Sequence, residues 1–171
     1  MKPLLLLTGV WLGTILNAAG QSSRPALDKD PVFQHVLSRR IEYPARAEAE
    51  GIYARVYAEF TVSERGHVQQ ISLLFPGQVA HFFESAVLKG LRRLPPLQPR
   101  YVGHYVLPVT FRFVHYTDHA QPEVLMPAHE LPADHFPDRV LLTPVVITGS
   151  NRHPPGGHHE VQSAGSVWVT H

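Results

Sequence analysis

Twelve histidines are the residues of this 171-residue chain whose types come closest to reactive chemistry, and eight of them fall from His115 onward. The stretch "HYTDH" (His115, Asp118, His119) and the pair His158-His159 bring imidazole together with carboxylate, a donor set that suits Zn, Cu or Ni. No pair lies on a predicted rigid helix at ligand spacing, however, and a flexible tail without a preformed site binds metals weakly. No metal site and no cofactor is therefore expected, and a His-rich metal-binding protein is the rival reading. The catalytic classes have less support still. There is no Gly-rich phosphate loop, nucleophile elbow or HExxH, and no two carboxylates converge on one predicted face. Glu59 and Glu84 read as solvated, and Ser85 beside Glu84 lies on a helix surface, so the chain is not read as an enzyme. The absence of cysteine excludes a thiol nucleophile, a disulfide framework and a Cys-based zinc site. A net charge of +1 with scattered basic residues gives no nucleic-acid stripe.

What remains is the chemistry of the main chain. Tyr105, Leu107, Val109, Phe111 and Phe113 alternate with His104, Val106, Pro108, Thr110 and Arg112, the period of a strand. Pro108 has no N–H to give a ladder, so its backbone should face away from a neighbouring strand. Alternation then leaves His104, Val106, Thr110 and Arg112 with outward N–H and C=O groups. These four are the candidate partner-binding edge. The same proline also reads as protection of an edge against aggregation, and it can do so while leaving shorter pairing sites on either side.

Such an edge needs a sheet and something packed behind it. Asp30-Pro31 reads as an N-cap and first helical residue, with Phe33, Val36, Leu37 and Ile41 following at helical spacing. Pro44 ends that helix and begins a short Ala-rich one that Gly51 stops. From Ile52 the pattern switches to strict alternation, with Ile52, Ala54, Val56, Ala58, Phe60 and Val62 on one face and Tyr53, Arg55, Tyr57, Glu59 and Thr61 on the other. "SERG" (Ser63 to Gly66) supplies turn chemistry, and "HVQQISLLF" returns as the second strand of a hairpin, its phase shift predicting a bulge near Gln69 and Gln70. Pro76-Gly77 ends it. Val79, Phe82, Phe83, Ala86, Val87, Leu91 and Leu94 make the apolar stripe of a helix, which "PPLQP" terminates. A helix returning the chain to the far end of the sheet makes the third strand antiparallel to the first. The predicted order is two, one, three, with the third strand at an edge.

The spaced signals from residue 43 to 113 resemble the C-terminal domain of the TonB family: "YPARAEAEGIYARVYAEFTVSERGHV", the helix around "FFESAVLKGLRRL", the "PPLQP" break and "LPVTFRF". Tyr43, Pro44, Ala47, Gly51 and Gly66 stand at the family's structural positions. Ala54 departs from a usual second Gly, and "LLFPGQ" from a Ser-Ser-Gly type turn. The resemblance implies an α+β fold, a three-stranded antiparallel sheet of order 2-1-3 with helices on one face, here followed by a largely irregular C-terminal tail. It also implies that an extended protein or peptide strand is bound by strand addition, as the family binds the short box at the start of outer-membrane receptors. A TonB-dependent receptor or another TonB-like domain is the expected partner, with nucleic acid excluded and a homodimer left open.

The domain organisation is read from the same signals. Residues 1–20 read as a secretory signal, with an apolar run too short to span a bilayer, which makes the protein periplasmic, and membrane-bound only if the signal stays uncleaved. Residues 21–30 read as a short linker, about 35 Å at most, which argues against force transmission from the inner membrane. The domain is expected over 31–114 and a Pro/His-rich tether over 115–139, with a reach on the order of 70 Å. A tail over 140–171 comes next, with a β-prone segment at 140–149 and an apolar island at 167–169. Within that tail "PVVITGSNR" (residues 144–152) itself looks like a receptor box, and is expected to dock on an edge strand of this chain or of another domain, or else to be an ordinary extra strand or an unbound apolar patch in a flexible tail.

Overall fold

The computed structural model describes residues 26–75, 81–118, 121–152 and 161–163. The expected signal at 1–20, the Pro76-Gly77 stop, Val79, His119, His158, His159 and the island at 167–169 lie outside the described residues.

Helix α1 (Pro31–Arg40) begins where Asp30 caps it, one carboxylate oxygen accepting from the Val32 and Phe33 amides at 2.9 and 3.0 Å. Pro44 ends the extended link and heads α2 (Ala45–Ala49), its carbonyl accepting from the Glu48 amide. Gly51, at φ +65, turns the chain onto the sheet. The hairpin of β1 (Ala54–Val62) and β2 (Val68–Leu74) carries its register shift opposite Phe60, with Gln70 at φ +52, where the phase change of the sequence predicted a bulge. Gly66, at φ +78, could carry no side chain, because a Cβ there would lie 2.0 Å from the Leu97 carbonyl oxygen. Helix α3 (His81–Arg92) then leads to β3 (Gly103–His115), which runs antiparallel to β1 along its whole length. The order 2-1-3 is present, and the helices pack on the face formed by Val56, Ala58, Phe60, Leu107, Val109 and Phe111.

Tyr43 ties this core together. Its ring meets Phe83 and Phe111 edge-on, with centroids 5.7 Å away in both cases, and its hydroxyl donates to the Ile52 carbonyl at 2.6 Å. Burial, with the Glu48 carboxylate adding to it, holds the phenol well above its ordinary value near 10. The folded state therefore keeps the proton where the unfolded chain loses it.

Beyond β3 the architecture departs from expectation. The third strand is not a bare edge, and described residues after it add strands to the sheet. Strand β4 (Glu123–Leu125) pairs antiparallel with the end of β3, β5 (Val140–Leu141) and β6 (Val145–Ser150) pair parallel with it, and β7 (Val161–Ser163) adds to β6, giving a seven-stranded mixed sheet. Residues 126–139, expected as part of an extended tether, instead cross the sheet face opposite the helices. Phe136 packs on Tyr57 and Val106, the Leu131 amide donates to the Tyr57 hydroxyl at 2.7 Å, and Glu130 and Arg139 pair with Arg55 and Glu59. The tether composition is overridden because Tyr57 and Val106 make an apolar pair on that face which only a non-local partner could cover. The expected linker differs too, since Leu27 lies fully buried in the core.

Both the second apolar cluster and the buried phenol can be probed. Phe136→Ala should cost about 3 kcal/mol and open residues 126–139 to limited proteolysis, while β1 stays protected from hydrogen exchange. Raising the pH above about 10 should lower the melting temperature, with Tyr43 contributing up to about 1.4 kcal/mol per pH unit; Tyr43→Phe should flatten that alkaline slope in a pH series of melts.

Candidate functional site

The β1–β3 register pairs Tyr57 with Pro108 and runs without a break from Val62↔Gly103 to Ala54↔Phe111, so every second residue of β3 turns its backbone away from β1. The Val106 carbonyl, which accepts from the Leu142 amide at 2.8 Å, fixes which set that is. Val106, Thr110 and Arg112 thus carry their main-chain groups on the side where β5 and β6 lie, and Pro108 falls in the gap between those two strands. His104 lies beyond the paired stretch and is exposed. The side chains of this set face the sheet surface away from the helices: Val106 is covered by Phe136, the Thr110 hydroxyl accepts from Arg55 Nε at 3.0 Å, and Arg112 Nε donates to the Thr148 hydroxyl at 2.7 Å.

Strand β6 is therefore held by its side chains as well as by its ladder. Ile147, opposite Phe111, is fully buried, which contributes about 2 to 3 kcal/mol. Gly149, opposite Phe113, lies flat on Tyr43, where a Cβ would sit 2.8 Å from ring carbons. Glu48, on α2 beside the buried Ala47, accepts from the Ser150 amide at 3.1 Å. Asn151 closes the end, accepting from the Tyr116 amide at 2.7 Å and donating to the Tyr116 carbonyl at 2.9 Å. The Tyr43-Pro44-Ala47-Gly51 motif thus does more than turn the chain: it builds the floor under β6. Sequence reasoning missed Glu48, Gly149 and Asn151. The signal for Gly149 and Asn151 was the small, turn-like "TGSN" directly after a β-branched run, whereas Glu48 reads only as one more helix former.

Clefts of about 310 Å³ and 530 Å³ open at the two ends of β6, the first beside Phe33, Pro144 and Val145, the second beside Glu48, Phe113 and Ser150. Among the described residues no group of three or more His, Cys, Asp or Glu could hold a metal, and Asp118 of the "HYTDH" stretch pairs with Arg152 at 3.1 Å. No described helix is long and apolar enough to cross a membrane.

Residues 39–116 match the family described as Gram-negative bacterial TonB protein C-terminal. The chain is 36% identical over 78 residues to Protein TonB of Salmonella typhimurium, an alignment that takes in 45% of this chain and 31% of the relative. The chain thus covers under a third of that protein's length. No solved structure gives a significant match. Strand order, the Tyr-Pro motif and the matched residues agree, and over residues 39–116 this chain carries a TonB C-terminal domain.

Proposed function

We propose that the domain binds an extended segment of a protein partner by adding it as a strand beside β3, in the periplasm and in the service of TonB-dependent outer-membrane transport. The observation that carries the reading is the pairing of β3 itself. On either side of Pro108 its outward groups take a parallel strand, and the longer of the two pieces, β6, lies within a receptor-box-like sequence. Backbone bonds of this kind give affinity at about 0.5 to 1.5 kcal/mol each, and alternate side chains give selectivity. The likeness to a TonB protein supports a receptor of the outer membrane as the partner.

A synthetic peptide of residues 144–152, added to the full chain at several millimolar to compete with a tethered segment, should perturb the amide signals of residues 109–114 and spare β2. Arg112→Pro removes one outward N–H while leaving the inward ladder intact, and should weaken the effect at least tenfold. Perturbation confined to β2, or none at all, would remove the reading.

A further inference from the structure

We infer that residues 144–151 are a built-in competitor for the β3 edge, and that the place they fill selects a partner segment of the form apolar-hydroxyl-Gly. The inference rests on the strand-addition reading of β3 and adds its regulation and its ligand chemistry.

Three successive positions of β6 meet three different tests. At 147 the core accepts only an apolar side chain, since Ile147 is fully buried against the layer that contains Phe111. At 148 the side chain faces the opposite surface, where Arg112 offers a donor that a hydroxyl can accept. At 149 there is room for hydrogen alone, because the Tyr43 ring beneath it rests edge-on against both Phe83 and Phe111 and is held by its hydroxyl on the Ile52 carbonyl. Glu48 then takes the next amide, Ser150 N–H. A partner strand entering in the same register must satisfy the same sequence of demands.

The tethered segment holds an advantage over any such partner. Covalent linkage gives it an effective concentration in the millimolar range, and a partner's apparent affinity falls by the fraction of time the edge is vacant. Its removal need not disrupt the helical core as a whole, since clefts flank both ends of β6 and Asn151 and Ser150 are joined to the domain through the Tyr116 main chain and the Glu48 side chain. Strand exchange can therefore start at either end.

The test compares full-length protein with Gly149→Val, which alters the competing strand and leaves Tyr43 and β3 untouched. A fluorescent peptide of residues 144–152 is titrated into each, with hydrogen exchange followed in parallel. Faster exchange at residues 145–150, protected β1 and peptide binding at least tenfold tighter than wild type are expected, and a peptide carrying Val in place of its Gly should bind neither protein. Equal affinities despite faster exchange would overturn the competitor and leave strand addition standing. No binding by an opened Gly149→Val protein would overturn strand addition and the inference with it. Unchanged exchange at 145–150 would show that the place tolerates a side chain and would overturn the selectivity. If Gly149→Val does not fold, Ser150→Pro, which deletes the amide held by Glu48, carries the same comparison.

Discussion

A strand buried on both faces cannot leave one row of its main-chain groups without partners. From Tyr105 to Phe111 every residue of β3 is buried, and an unpaired donor or acceptor in such a setting costs about 1 to 3 kcal/mol. The rest of the C-terminal architecture depends on this constraint. Residues 126–139 bury Tyr57 and Val106 from behind. In doing so they turn what would have been a wet, tolerable edge into one that must be paired, and β5 and β6 pair it.

Pro108 decides how that pairing is divided. Tyr105 faces Val140 on one side of it and Val109 faces Val145 on the other, so the added strand gains one residue of offset in passing the proline. The ladder steps at the point where β3 has no N–H to offer. Leu142 uses the step to turn into the core, and the Thr143 hydroxyl donates to the Asp28 carboxylate. The step beside Pro108 thus leaves Thr143 where it anchors the outer ladder to the turn at Leu27–Lys29.

The parts of this fold governed by local rules were legible in the sequence. The Asp30 cap, the stop at Gly51, the hairpin, the bulge at Gln70 and the 2-1-3 order arise from capping chemistry, φ preferences, side-chain period and connection geometry, all of which act over a few residues or along one strand. The outward direction of the Val106, Thr110 and Arg112 main-chain groups was legible for the same reason, since a proline fixes a two-residue alternation. What could not be read was coverage. A Pro-rich stretch looks extended whether it is solvated or laid across a sheet, and Phe136 reaches Tyr57 from 79 positions away. Nor does "PVVITGSNR" reveal which edge it favours, because the fit of Gly149 on Tyr43 and of Ser150 on Glu48 exists only once the helices and the sheet have come together.

The long connection between β3 and β6 also sets an order of events during folding. Thirty-six positions separate Val109 from Val145, whereas the β1–β2 hairpin closes across a few residues, and loop-closure entropy delays the distant pairing. While the polypeptide emerges, the newly formed third strand therefore passes through an interval in which its rim is uncovered and able to zip onto a neighbouring molecule. Pro108 is already in place during that interval. Its break in the rim limits any such intermolecular zipper to short runs until the chain's own later residues arrive to seal it.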